Sequence, residues 1–109
     1  MTQKQQPVYI AKVVTAAPLV VGELKLNPQR FEATLHGQPL VLSKSEYATL
    51  LFIAQNSERV VTQSEIRTFL APSAFSVRDL VCKVRKELQR VHPQSDILNI
   101  HGVGYRLKS

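Results

Sequence analysis

The residues with the clearest chemical capability are the basic side chains of the C-terminal third. From residue 76 to 109 the chain has seven basic and three acidic residues, which together supply four of its six net positive charges. The basic residues are Arg78, Lys83, Arg85, Lys86, Arg90, Arg106 and Lys108. Concentrated positive charge attracts an anionic partner such as a nucleic acid or a membrane surface. The distribution favours one basic element and its neighbour as the binding surface.

Other chemistries have little support in the sequence. A single cysteine, Cys82, cannot form an internal disulfide, and the three scattered histidines lack the paired spacing of zinc ligands. No Ser/His/Asp, Cys/His, paired-carboxylate or phosphate-loop arrangement is visible, so we expect no enzyme, no cofactor and no metal. The lone thiol favours a reducing, cytoplasmic location, and we interpret Cys82 as a passive small residue rather than a redox switch.

The N-terminal segment 8–21 is apolar enough to raise the question of a signal peptide or membrane span. Lys12 and Pro18 interrupt it, and it is shorter than the ~20 residues that a span requires. Its Val, Ile, Tyr and Thr content instead predicts a strand. We therefore expect 1–18 to be an extension or extra strand and 19–109 to be a single domain without a membrane segment.

The region 19–42 has the pattern of short strands separated by turn formers. We predict strands over 19–26, 30–36 and 40–42, with turns at Asn27-Pro28 and Gly37-Gln38-Pro39. In the middle strand Phe31, Ala33 and Leu35 alternate with polar residues, which indicates one buried face. The pattern predicts an antiparallel meander.

Three helices are predicted next, each beginning with a hydroxyl residue followed three positions later by an acidic one. The pairs are Ser43 with Glu46, Thr62 with Glu65, and Ser76 with Asp79. In such a capping box the hydroxyl accepts from the third backbone N–H, and the carboxylate accepts from the N–H of the capping residue. These signals, with Pro72 and Pro93 as terminators, predict helices over 44–56, 63–70 and 77–91.

Helical spacing separates core positions from exposed ones. Tyr47, Leu50, Leu51 and Ala54 make the first helix the central core helix, and Ile66, Phe69 and Leu70 are buried by the second. In the third helix the apolar stripe is Val77, Leu80, Val81, Val84 and Leu88, and the opposite side carries Arg78, Asp79, Cys82, Lys83, Lys86, Gln89 and Arg90. A hairpin is predicted over 97–108, with Gly102 and Gly104 available for positive φ in its turn.

This order of strands, two helices, a basic helix and a hairpin resembles the winged-helix effector domain of OmpR/PhoB-class response regulators over 19–108. The matching segments are Leu42-Ser43-Lys44-Ser45-Glu46-Tyr47 with Leu50-Leu51, Arg59-Val60-Val61-Thr62 with Ile66, Val84-Arg85-Lys86-Glu87-Leu88, and Ile100-His101-Gly102-Val103-Gly104-Tyr105-Arg106-Leu107. The last segment is the most specific. The resemblance implies an α+β fold: a winged helix-turn-helix with an N-terminal antiparallel sheet, three helices and a C-terminal β-hairpin wing.

The resemblance also implies which residues touch DNA. They are Ser76, Arg78, Asp79, Cys82, Lys83, Arg85 and Lys86 in the third helix and His101, Tyr105 and Arg106 in the wing. The family often has an acidic residue and then a histidine where this chain has Arg78 and Leu80, and often has arginine in place of His101. These departures affect the expected target sequence rather than the fold.

Physical chemistry suggests a role for each part of this surface. The Ser76 end of the helix should face phosphate, and exposed Lys and Arg can donate to guanine O6 and N7. Asp79 can accept from cytosine N4 or serve only as the capping acid. Arg85, near the apolar stripe, is better placed for phosphate than for bases. His101 can enter a narrow minor groove or merely occupy a turn.

We therefore expect sequence-specific binding of double-stranded DNA by a transcriptional regulator of a two-component system. The recognition helix 76–91 would lie in the major groove, and the wing 97–108 at the adjacent minor groove or backbone. Because no long apolar stripe is left over once the core is built, we expect a monomer in solution. The resemblance implies that two copies pair on DNA, and RNA polymerase is a further expected partner. The alternative is a winged-helix module whose basic face binds a protein or RNA. A stand-alone regulator and a domain excised from a receiver-linked or membrane-linked protein both fit the sequence.

Overall fold

The computed structural model describes residues 8–70 and 76–108. The helices are α1 (Val8–Val14), α2 (Lys44–Gln55), α3 (Gln63–Leu70) and α4 (Val77–Val91). The strands are β1 (Leu19–Val21), β2 (Leu24–Asn27), β3 (Glu32–Leu35), β4 (Gln38–Pro39), β5 (Asp96–Ile100) and β6 (Gly104–Lys108), and one turn of 3-10 helix covers Pro28–Arg30. The α+β architecture predicted from the sequence is confirmed.

The N-terminal sheet is the predicted antiparallel meander, with strand order β1-β2-β3-β4. Its strand boundaries differ from the prediction. The expected strand 19–26 is two strands, because Gly22 takes a left-handed φ of 58° and turns the chain between them. The third strand starts later than expected, because Phe31 also has a left-handed φ of 52° after the 3-10 turn. Pairing ends at Pro39, so the predicted strand 40–42 is wrong.

Residues 40–42 are not a strand because the amide of Val41 has its partner outside the sheet. Leu40 N still donates to Ala33 O, but Val41 N donates to the Glu87 carboxylate of α4 at 2.6 Å. Two residues later Ser43 caps α2. The segment therefore connects the sheet to the first long helix and contacts α4 on the way.

The predicted N-terminal strand is wrong over Val8–Val14, where the chain is the helix α1. Its residues Tyr9 and Val13, four positions apart, are both buried in the core. Lys12 Nζ donates to Phe69 O at the end of α3, and Gln29 Nε2 donates to Val14 O and to Ala16 O just beyond the helix. These tertiary contacts outweigh the β propensity of the valines, which is a weak preference.

The helix boundaries agree with the prediction to within one residue, and the capping signals explain them. Ser43 and Thr62 each form both bonds of a capping box with Glu46 and Glu65. At α4, Ser76 Oγ accepts from Asp79 N, but no described hydrogen bond returns from the Asp79 carboxylate to Ser76. Pro72, the expected terminator of the second helix, lies outside the described residues.

Helix α2 is the centre of the core, as predicted. Tyr47, Leu50, Leu51 and Ala54 are all buried; Tyr47 Oη donates to Glu32 O, and burial raises the pKa of Tyr47 to about 12. The five apolar residues of the α4 stripe are buried too, and the hairpin adds Ile97, Tyr105 and Leu107 to the same cluster. One core therefore positions both the basic helix and the hairpin.

A single β-bridge ties the hairpin to the connector between α2 and α3. Val61 N donates to Tyr105 O at 2.8 Å, and Tyr105 N donates to Val61 O at 2.7 Å. Of the two hairpin glycines, only Gly102 has the expected positive φ, at 73°. Gly104 meets a different requirement, because a Cβ there would lie 2.0 Å from Val61 O. Glycine is needed at position 104 because the hairpin lies close to the backbone of Val61, and not because of a turn conformation.

Candidate nucleic-acid interface

The side of α4 opposite the core is a continuous exposed surface. As the sequence predicts, five residues of this side are exposed: Arg78, Asp79, Cys82, Lys83 and Lys86. In the described ranges, none of the three basic residues forms an ion pair. Their charges can therefore act on an external partner.

Two other arginines of α4 are engaged within the protein. Arg90 donates to both carboxylate oxygens of Glu87 and to Pro39 O, and its bond to Glu87 holds the pKa of that carboxyl below its usual value. Arg85 Nε donates to Asp96 Oδ1 at 2.8 Å. The Arg85 guanidinium therefore has a partner within the protein, and its contact with phosphate stays a prediction.

A polar groove of about 660 Å³ lies between the first residues of α4 and the turn of the hairpin. It brings together four residues predicted from the sequence, Ser76, Arg78, His101 and Tyr105. It also contains Gln63 and Asn99, which the sequence analysis missed. Gln63 could have been identified, because it is the first residue of the predicted helix α3. Asn99 could not, because it lies two positions after buried Ile97 in the same strand and the alternation places it on the buried side.

The predicted wing residues do not share one surface. His101 is exposed at the turn, and Arg106 is exposed on β6 but does not line the groove. Tyr105 lines the groove only with a small part of its surface, because it is 8 % exposed and belongs to the core. Its backbone pairs with Val61, so Tyr105 has a structural role, and its contact with DNA stays a prediction that concerns only the small exposed part of the side chain.

The described residues contain neither a metal-binding cluster nor a membrane-spanning helix. In the ranges 8–70 and 76–108 no group of three His, Cys, Asp or Glu side chains is arranged to hold a metal ion. Over those ranges, none of the helices has the length and apolar character needed to cross a membrane. The ion pair of Arg59 with Glu65 lies at the start of α3, where hydrogen bonds from Arg59 and from the Thr62 amide hold the pKa of Glu65 at about 2.

These features define a winged helix-turn-helix domain, in which α3 and α4 are the helix pair, α4 is the exposed basic helix, and β5 and β6 form the wing. Residues 37–107 match the sequence family described as "Transcriptional regulatory protein, C terminal". The chain belongs to this family of OmpR/PhoB-type domains.

Individual relatives agree with this assignment. The chain is 35% identical over 97 residues to protein RcaC of Microchaete diplosiphon, covering 84% of this chain and 15% of the relative. It is 32% identical over 88 residues to the response regulator protein PmrA of Pseudomonas aeruginosa, covering 80% of this chain and 40% of the relative. The chain therefore spans less than half the length of these relatives.

Solved structures show the same fold. The DNA-binding domain of the response regulator AdeR, in complex with an intercistronic region, superposes with a TM-score of 0.74 at 25% identity, covering 83% of this chain and 97% of that one. The DNA-binding domain of CpxR from E. coli superposes with a TM-score of 0.69 at 26% identity, covering 84% and 96%. Since these domains align over most of their own length, the likeness concerns the complete winged-helix unit.

Proposed function

We propose that this domain binds double-stranded DNA sequence-specifically and thereby regulates transcription. The observation that carries the proposal is the exposed side of α4, where Arg78, Lys83 and Lys86 have no ion-pair partner among the described residues. A helix fits the major groove, and lysine and arginine donate to guanine O6 and N7. The family and the AdeR complex support this assignment.

Within the helix, the first two turns are proposed to read bases. Lys83 and Cys82 lie on the exposed side there. The exposed carboxylate of Asp79 can accept from cytosine N4, because no hydrogen bond in the described part of the chain ties it to the capping residue Ser76. The Ser76 end of α4 is proposed to meet a phosphate, since the first amides of a helix are unpaired and its dipole attracts anions. Lys86, one turn further on, extends the basic surface.

The wing is proposed to contact the adjacent minor groove or backbone. His101 stands at the exposed turn beside the polar groove, and Arg106 presents a guanidinium from β6. Phosphate contacts position a protein on the duplex and carry no sequence information. We therefore assign Arg106 to phosphate and His101 to the minor groove.

The assembly on DNA is a further part of the proposal. One α4 helix reads only a few base pairs, so two copies are expected on half-sites about one helical turn apart, from monomers in solution. RNA polymerase is the proposed further partner in transcription. The cytoplasm is the proposed location, and no catalytic activity is proposed.

The experiment is a selection of binding sites from random duplex DNA, followed by affinity measurements on the selected duplex and on a scrambled duplex. A preference for the selected duplex and a steep loss of affinity with salt are expected, because lysine and arginine displace counterions from the phosphates. Equal affinity for both duplexes at every salt concentration would contradict specific readout. Preferential binding to an RNA hairpin would instead support the alternative of an RNA-binding module.

A further inference from the structure

The contact between Arg85 and Asp96 links the proposed recognition helix to the proposed wing. Arg85 lies in the third turn of α4, and Asp96 is the first residue of β5. Arg85 Nε donates to Asp96 Oδ1 at 2.8 Å, and the same oxygen accepts from Ile97 N at 2.7 Å. The Asp96 side chain is only 24% exposed, so the carboxylate is partly shielded from water.

This pair has no equivalent elsewhere between the two elements. Among the described residues it is the only side-chain hydrogen bond or ion pair that joins α4 to the hairpin. Both elements also pack on the apolar core, through residues such as Leu88 and Ile97. Each has further polar bonds to other parts of the chain, α4 to Pro39 and Val41 and the hairpin to Val61. Apolar packing is not directional, whereas a charge-assisted hydrogen bond fixes both distance and orientation.

We propose that Arg85 and Asp96 are positioning residues that set the orientation of the wing relative to α4. The inference rests on the proposed function, since it concerns how two DNA-contacting elements are held for simultaneous binding. When both elements are already in place, the second contact forms without a further ordering cost. Loss of the pair therefore weakens DNA binding although neither side chain touches DNA.

The competing role for Arg85 is direct contact with phosphate, and the two roles predict opposite effects of removing Asp96. If Arg85 touches phosphate, Asp96→Ala releases the guanidinium and removes a negative charge, so DNA affinity stays equal or rises. If the pair positions the wing, Asp96→Ala weakens binding as Arg85→Ala does. The salt dependence is a second difference, because only the loss of a phosphate contact lowers the salt slope by about one unit.

The test measures affinity for the selected duplex in Arg85→Ala, Asp96→Ala, the double variant, and the charge exchange Arg85→Asp with Asp96→Arg. We expect roughly tenfold weaker binding in each single variant, the size of a lost charge-assisted hydrogen bond. The double variant should be no weaker than the singles, because residues of one pair do not contribute additively. The exchange should recover at least about threefold of the lost affinity, and all salt slopes should match that of the unaltered chain.

Arg30→Ala is the matched control. It removes one positive charge and one ion pair, with Glu32, at a site where both side chains are more than half exposed. Its affinity loss measures the effect of net charge alone and should be smaller than that of Arg85→Ala. Unaltered or tighter binding by Asp96→Ala, or a reduced salt slope in Arg85→Ala, would overturn the positioning role.

A measurement without DNA separates this inference from the proposed function. Residual dipolar couplings of the free protein report the orientation of β5 and β6 relative to α4. They should change in Asp96→Ala and return towards the original values in the charge exchange, while the couplings within α2 stay constant. If the couplings behave in this way but no duplex is preferred, the proposed function fails and the positioning role stands. Unchanged couplings in a folded Asp96→Ala protein would refute the positioning role.

Discussion

Replacing Gly104 with alanine should destabilise the domain by more than its small size suggests. An alanine Cβ at this position would lie 2.0 Å from Val61 O, 2.8 Å from Val61 C and 2.9 Å from Thr62 Cα. All three atoms belong to the backbone, so no side chain can rotate out of the way. The hairpin must therefore move away from the connector between α2 and α3.

The size of the effect follows from the contacts that this movement breaks. The two hydrogen bonds between Val61 and Tyr105 would be lost, at about 1 kcal/mol each. Both residues are buried, so unsatisfied backbone groups or residual overpacking add about 1–2 kcal/mol. We expect the free energy of unfolding to fall by about 3–4 kcal/mol, a large share of the ~5–15 kcal/mol typical of a domain.

Gly102→Ala is the matched control in the same hairpin. Gly102 has a φ of 73° and no atom within 4 Å of an added Cβ, so alanine meets only the left-handed backbone penalty of roughly 1–2 kcal/mol. Urea unfolding of both variants measures the difference. The close-approach explanation is refuted if Gly104→Ala is no less stable than Gly102→Ala.

Three further predictions test other parts of the molecule. Lys83→Ala should change the preferred duplex sequence at a cost of ~1–3 kcal/mol in binding free energy, whereas Arg106→Ala should weaken binding to all duplexes alike and lower the salt slope by about one unit. Equal losses of affinity for the selected and scrambled duplexes in both variants would contradict base reading by Lys83. The hydrogen bonds that lower the pKa of Glu65 stabilise the folded state above pH 4.5, and this contribution is lost as the pH falls from about 4.5 towards 2. Glu65→Gln should therefore reduce the loss of thermal stability over that pH range, and an unchanged pH profile in the variant would contradict this role of Glu65. Val13→Ala should cost about 1–3 kcal/mol because Val13 is buried, whereas Val14→Ala, 39% exposed, should cost less than about 0.5 kcal/mol; similar losses in chemical denaturation would count against the helical register of α1.

Helices α2, α3 and α4 were predictable because the signals that define them lie within each helix and its first turn. Ser43 and Thr62 begin helices through bonds to residues three positions away, and the α4 stripe from Val77 to Leu88 follows from the helical period. The exposed surface with Lys83 and Lys86 follows from the same period. The strands were located less well, because Gly22 and Phe31 adopt left-handed conformations that only Gly22 signals by its residue type.

The sequence by itself determined the order of α2, α3, α4 and the hairpin, the core side of these three helices and the concentration of positive charge near the C-terminus. Only the tertiary structure decided that Val8–Val14 is a helix, because its burial against other elements overrides a weak local propensity. It also decided which basic residues are available: Arg85 and Arg90 are engaged by Asp96 and Glu87, while Lys83 has no ion-pair partner among the described residues. Asp96 is 11 residues from Arg85 and belongs to another element, and no local pattern specifies such a partner. The pairing of Arg90 with Glu87, by contrast, follows the i,i+3 spacing of a helix. The need for glycine at position 104 is also decided by the tertiary structure, because it comes from the carbonyl of Val61, 43 residues away in sequence.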